Sequence, residues 1–222
     1  MNLTLFDLDG TLIPTDSDHA FGDFLVRIGW ADPEHFKRRN DHFYQQYLQG
    51  TLDLDAYIDF ATSVWRQRHP QEAQAIRERF MREEMTPSLT PQALELVRRH
   101  QAAGDLVAIV TATNEFVTRP IAEAFGVRHL LAVNLHRDEH GRITGRVDGI
   151  PTFQAGKIQR VGDWLAGLGL HWDDFERSTF YSDSINDLPL LERVSHPVAT
   201  NPGPGLERIA RERGWPILRL FE

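Results

Sequence analysis

The apolar run Leu3 to Leu8 reads as a buried strand, and a long block of purely helical pattern cuts it off from every other run of that kind. A single strand needs partners. Those partners must come from much later in the chain: Leu106 to Val110, Leu130 to Leu135, Thr179 to Tyr181, Pro197 to Ala199 and Ile217 to Leu220. Helical patterns separate most of these runs. Thr90-Pro91 supplies an N-cap and a first-turn proline ahead of Leu94 and Val97. Residues Ala155 to Leu168 place Ile158, Val161, Trp164, Leu165 and Leu168 on one face, and a short helix over Leu206 to Arg213 stops at Gly214. Alternation of this kind predicts an α/β fold whose parallel sheet is covered on both faces.

The interrupting block, from Ser17 to Met85, carries apolar stripes at helical spacing. The first holds Ala20, Phe21, Phe24, Leu25 and Ile28. The second holds Phe36, Phe43, Tyr44 and Tyr47. The third holds Leu54, Tyr57, Ile58, Ala61, Val64 and Trp65. Ala73, Ile76 and Phe80 suggest a fourth. An insertion directly after the first strand becomes a cap beside that strand's carboxyl end, where open α/β sheets bind ligands. We therefore expect a core of residues 1–14 and 87–222 and a helical cap of residues 15–86. Leu131 to Gly149 alternates around a DEHG turn and reads as a small β-hairpin.

The first strand ends in FDLDGT, Phe6 to Thr11. If the strand continues through them, Asp7 and Asp9 point the same way. Two carboxylates so placed repel unless a cation lies between them or one keeps a proton. Other polar groups fall at corresponding places. Thr111 ends the LVAIV run and opens onto Thr113 and Asn114, Lys157 stands in the first turn of a helix, and Asp183, Asn186 and Asp187 follow a strand in SDSIND. Each alone has a plain explanation as a turn residue, a cap or a solvated charge. Together they are what phosphoryl transfer needs: carboxylates for a hard cation, a lysine and a hydroxyl for the phosphoryl oxygens, and carboxylates for nucleophilic and acid–base work.

DLDGT, Thr111, Lys157 and SDSIND resemble, in order, the four motifs of the haloacid dehalogenase-like hydrolases. The resemblance spans essentially the whole chain. It extends to a Rossmann-like doubly wound core with a type-1 helical cap, and within the family it is similar to the phosphoserine phosphatase branch, including phosphoserine and histidinol-phosphate phosphatases. It implies that Asp7 is the nucleophile of an aspartyl-phosphate, Asp9 the general acid and base, and Thr111 a phosphoryl hydrogen-bond donor. It further implies that Lys157 neutralises the phosphoryl group, and that Asp7, Asp9, Asp183 and Asp187 form the Mg²⁺ site, with Asn186 near the phosphate. Two departures stand out. Ser182 and Ser184 replace motif glycines, and Ala112 and Thr113 follow Thr111 where the branch has glycine.

For the leaving group, the candidates are Thr113, Asp16, Asp18 and His19, with Arg38 in the basic run Lys37 to Arg39 as an anion-binding alternative. A carboxylate at Asp16 or Asp18 suits a cationic amino-alcohol phosphate, whereas phosphoserine also calls for an arginine. The net charge of −8 argues against nucleic acid as a partner. The absence of cysteine excludes thiolate sites. With no membrane-length apolar run and no leader pattern, the expected setting is cytoplasmic, the expected partner a small phosphate ester, and no membrane is involved. Two patterns are set aside. Asp7 to Asp18 has Leu12 where a calcium loop needs glycine, and HRDEH at His136 to His140 lies in a hairpin rather than a zinc-binding helix. A phosphotransferase, or a non-catalytic phosphoacceptor like a response-regulator receiver, remains an alternative function.

Overall fold

A computed structural model describes residues 1–221. Strand β1 (Asn2–Phe6) is followed by cap helices α1 (Ser17–Arg27), α2 (His35–Leu48), α3 (Leu54–Thr62) and α4 (Pro70–Phe80). The chain then passes through a π-helical turn, Met81–Met85, and the short α5 (Thr86–Ser88) into α6 (Pro91–Ala102). β2 (Leu106–Asn114), α7 (Glu115–Ala124) and β3 (His129–Val133) come next, then the hairpin β4 (Leu135–Arg137) and β5 (Ile143–Val147). The rest alternates: α8 (Gly156–Gly167), β6 (Arg177–Ser182), α9 (Leu188–Arg193), β7 (His196–Thr200), α10 (Pro204–Arg213) and β8 (Ile217–Leu218).

The main sheet has six strands in the order β3-β2-β1-β6-β7-β8, all parallel. The chain moves outward on one side of β1 and then returns to start the other side at β6. The crevice at the carboxyl ends of β1 and β6 is therefore the switch point where such sheets bind ligands. Registers of Phe6 with Ile109 and with Tyr181 bring the ends of β2, β1 and β6 level. Leu3, Leu5, Ala108 and Val110 pack against Val161 and Leu165 of α8 and Leu206 of α10 on one face. Phe6, Val107 and Ile109 face the other way, into a cluster that runs without a break from α6 and α7 to Phe21, Phe24 and Phe80 of the cap. Among the described residues, no helix is long and apolar enough to cross a membrane.

Three sequence expectations change. β1 stops at Phe6, so Asp7 and Asp9 lie on the loop beyond the strand, and the alternation that put them on one side does not apply. The run Leu130 to Leu135 is divided: β3 belongs to the main sheet and β4 to the hairpin. Helix α7 has no counterpart in the sequence reading because Pro120 lies inside it. Asn114 starts the helix by accepting from the N–H groups of Phe116 (3.1 Å) and Val117 (3.3 Å). The Phe116 carbonyl, deprived of its helical donor by the proline, accepts from Arg77 Nη1 at 3.3 Å. The hairpin forms as expected, with Gly141 at φ 75° in its turn.

Candidate active site

Asp7 follows β1 immediately and still bonds the neighbouring strand, its N–H donating to the Tyr181 carbonyl at 2.9 Å. Its carboxylate faces Lys157, which the first turn of α8 delivers from below. Lys157 Nζ donates to Asp7 Oδ1 at 2.9 Å and to Asp187 at 2.7 Å, and all three side chains are buried. Burial by itself would lower the Lys157 pKa. The carboxylates of Asp187 and Asp7 outweigh it and hold the ammonium above its ordinary range. Asp187 also accepts from Ser182 Oγ at 2.8 Å, and Ser184 Oγ caps the short turn Ile185–Asp187 by accepting from Asn186 N–H at 3.2 Å. The serines that replace motif glycines therefore position the acidic turn.

Thr11 joins the first and last motifs. Its hydroxyl donates to Asp183 Oδ1 at 3.0 Å and accepts from the Asp183 N–H at 3.0 Å. Gly10 is required beside it: φ is 72°, and a Cβ there would collide with the Asp183 carboxylate. Asp7 and Asp187 thus share one ammonium and Asp183 adds a third carboxylate nearby, leaving negative charge uncompensated. Burial pushes Asp183 well above the carboxylate range, and the charges of Asp7 and Asp187 add to it. Burial raises Asp7 to about 7 despite the opposing Lys157 charge. An all-oxygen donor set with surplus negative charge fits a hard divalent cation.

Asp9 turns away from this cluster. Oδ1 accepts from Ser17 N–H at 2.7 Å, and Oδ2 accepts from the hydroxyls of Thr113 (2.8 Å) and Thr111 (3.4 Å). Burial and the Asp16 charge bring its pKa to about 6, against the pull of those hydrogen bonds. Asp7 and Asp9 are therefore held by separate partners and do not share a proton.

Above these groups the cap closes a chamber lined by Asp16, Asp18 and His19 of the α1 entry and by Tyr44, Tyr47 and Tyr57 of α2 and α3. Asp16 is the N-cap of α1, accepting from His19 N–H at 2.8 Å. Asp18 accepts from Asn114 Nδ2 at 3.1 Å. Burial raises both acids to about 6. The His19 ring stacks on Tyr44, with centroids 4.7 Å apart, and its Nε2 meets Asp41 at 2.8 Å. Asp16, His19 and Tyr44 also line a wider outer cleft of about 580 Å³, which makes that corner the approach to the chamber.

A match to the haloacid dehalogenase-like hydrolases covers residues 4–192. The chain belongs to that family. It is 41% identical over 219 residues to a histidinol-phosphatase of Neisseria meningitidis serogroup C (strain 8013), across 99% of both chains. It is 31% identical to a phosphoserine phosphatase of Mycobacterium tuberculosis (strain ATCC 25618 / H37Rv), over 96% of this chain and 68% of that one. A crystal structure of a protein of unknown function from Bordetella pertussis Tohama I superposes with a TM-score of 0.93 at 52% identity, covering 99% of each chain. A substrate-bound phosphoserine phosphatase shares the fold, with a TM-score of 0.68 at 17% identity over 97% of this chain and 91% of that one. This haloacid dehalogenase-like hydrolase is accordingly a phosphatase with a parallel core, an inserted helical cap and a small hairpin.

The candidate residues separate into groups within the hydrolase. Asp7, Asp9, Thr111, Thr113, Asp16, Asp18 and His19 line the chamber, while Lys157 stands below it on Asp7, Asp187 on Lys157 and Asp183 on Thr11. Arg38 does not line it. On α2 the inward face carries Asn40, Phe43, Tyr44 and Tyr47, and Arg38 projects to solvent. Its neighbours are engaged elsewhere, Lys37 with Asp23 and Asp41 and Arg39 over the Phe60 ring. Asn186 points to the cap rather than down to the phosphate region, its amide donating to the Tyr47 carbonyl at 2.9 Å. The tyrosines are the residues the sequence reading missed, because it assigned the cap aromatics to packing. Tyr44 and Tyr47 one turn apart on one helix face were the available signal. His19, Asp23 and Asp41 place ligand atoms within 4.8 Å of one another, a spacing consistent with a divalent ion. The Lys37 ammonium already bonds both of those carboxylates at 3.2 Å.

Proposed function

We propose that this phosphatase is a Mg²⁺-dependent phosphomonoesterase working through an aspartyl-phosphate on Asp7, with a small amine-bearing phosphate ester that lacks a carboxylate as substrate. Histidinol phosphate is the leading candidate. One observation carries the substrate assignment: the chamber presents Asp9, Asp16 and Asp18 with three tyrosines and, among the described residues, no arginine or lysine in its lining. An ammonium or imidazolium is welcome there. The carboxylate of phosphoserine would face like charge with no partner. The name of the Neisseria relative agrees with this reading.

In this reading the cap is residues 15–86 and the catalytic core is residues 1–14 with 87–222. Asp7 attacks phosphorus while Lys157 holds it and offsets phosphoryl charge. As the bond from phosphorus to the ester oxygen breaks, protonated Asp9 gives that oxygen its proton. Asp9 then takes a proton from the water that opens the aspartyl-phosphate. A pKa near 6 suits a group that must act in both directions near neutral pH. Thr111 donates to the phosphoryl group, Thr113 orients Asp9, and Asp187 fixes Lys157. Asp7 and Asp183, with the Asp9 backbone, would hold Mg²⁺, which supplies charge neutralisation at the phosphoryl oxygens.

The deciding experiment measures kcat/KM for histidinol phosphate and phosphoserine side by side, with Mg²⁺ and with chelator. We expect Mg²⁺-dependent turnover that favours histidinol phosphate by at least tenfold. A preference for phosphoserine would overturn the substrate assignment, and full activity in Asp7→Asn protein would overturn the mechanism.

A further inference from the structure

A second concavity, a groove of about 280 Å³, lies where the cap meets the hairpin. Arg66, Arg68, Arg77, Arg137 and Arg142 line it and, among the described residues, no carboxylate does. In a chain of net charge −8, five arginines along one groove run against the average. Three are paired. Arg66 bonds the Asp59 carboxylate at 2.6 Å and also donates to the Asp59 carbonyl and the Thr62 hydroxyl, Arg142 faces Asp138 at 3.6 Å, and Arg137 reaches Glu115 at 3.9 Å. For Arg68 and Arg77 no carboxylate is within 4.0 Å among the described residues. Arg68 lies over the Trp30 ring at 4.8 Å.

Arg77 has a fixed place. It donates to the Phe116 carbonyl that Pro120 leaves free, and its guanidinium lies 4.9 Å from the Phe116 ring centroid. Its Nε is buried without a partner, and burial lowers its pKa. Phe116 is stacked on Trp65 with centroids 3.9 Å apart, which gives the groove a rigid aromatic wall. Arg68 and Arg77 thus carry charge without a carboxylate partner beside three further arginines, and guanidinium forks match phosphate and carboxylate oxygens in pairs.

We propose that this groove is a binding site for a small anion bearing phosphate or carboxylate groups, separate from the catalytic chamber. Its size fits a small molecule rather than a polymer, and the acidic remainder of the chain repels nucleic acid. Arg66, Arg68 and Arg77 belong to the cap, whereas Arg137 and Arg142 belong to the hairpin, so the anion ties the two together.

The test titrates Mg²⁺-free protein with pyrophosphate and, separately, with citrate, by calorimetry and by NMR of the Trp65 indole N–H. The two arms distinguish a phosphate ligand from a carboxylate one. At least one probe should bind saturably at one per chain, weaken as salt rises and shift the Trp65 signal. The double substitution Arg68→Gln with Arg142→Gln changes two exposed side chains. It should weaken that binding at least tenfold and leave kcat without added anion unchanged. Absence of saturable binding by both probes would overturn the proposal. So would binding that the double variant retains with the Trp65 signal unmoved, because the anion would then sit elsewhere.

Discussion

The catalytic chamber and the arginine groove border the same cap, one at the end of β2 and the other at the start of α7, yet their charges are opposite. The chamber has Asp7, Asp9, Asp16 and Asp18 among its lining, and the groove has Arg66, Arg68, Arg77, Arg137 and Arg142. Here Lys157 is the buried cation beneath Asp7, and the surplus of carboxylates near it suits a divalent cation. On the proposed function, the chamber's remaining charge serves a cationic leaving group. The groove has basic charge and aromatic walls but no carboxylate in its lining to act as nucleophile or base, which suits binding without turnover.

Substitutions break this comparison in order of effect. Asp7→Asn should reduce kcat by at least roughly ten-thousandfold, as loss of a nucleophile does, while leaving anion binding at the groove intact by calorimetry. Asp9→Asn should lower kcat by about 10²–10⁴ for an alkyl phosphate. With p-nitrophenyl phosphate the deficit should shrink, because that leaving group departs without a proton, and equal losses on both esters would argue against the acid role. Asp18→Asn should raise KM for the cationic ester by about tenfold or more, the weight of a charge-assisted hydrogen bond, with little change for p-nitrophenyl phosphate.

Two smaller effects appear in stability. Mg²⁺ should raise the melting temperature by relieving repulsion among Asp7, Asp183 and Asp187. At a hundredfold excess over Kd the gain is about 2.7 kcal/mol, and Asp183→Asn should abolish it. In Mg²⁺-free protein, burial makes Asp16 and Asp18 hold protons up to about pH 6, against about 3.8 for an exposed aspartate. The folded chain therefore binds more protons between those values. Their contribution to stability is fully present below about pH 4 and is lost as pH rises through about 6. Chemical denaturation across that window should show the decline, and Asp18→Asn should flatten it.

Much of the fold was legible because burial leaves a period. The six runs of the parallel sheet are short, largely apolar segments, and the cap helices repeat at three and four. What blurred the reading were local exceptions. Pro120 disguised α7, whose lost hydrogen bond is replaced from the distant Arg77. The division of Leu130 to Leu135 between two sheets has no signature in hydrophobicity. At the site, Asp7, Lys157, Asp183 and Asp187 were readable from type and position. Tyr44, Tyr47 and Tyr57 were not, since an aromatic stripe looks the same whether it meets a core or a cavity. Arg38 was attractive by charge alone, and the rotation of α2 turned it outward.

By itself the sequence determined which chemistry is possible. Carboxylates after a first strand, a lysine opening a helix and an acidic turn after a later strand specify phosphoryl transfer wherever a parallel sheet brings strand ends together, because backbone register fixes where those ends lie. Only the tertiary structure decided how the charges are shared. It separated Asp7 from Asp9, collected acids and tyrosines over Asp7, and gathered arginines from cap and hairpin into one groove. Those outcomes depend on distances between side chains far apart in the chain, and electrostatic energy depends on such distances and on burial rather than on order along the sequence.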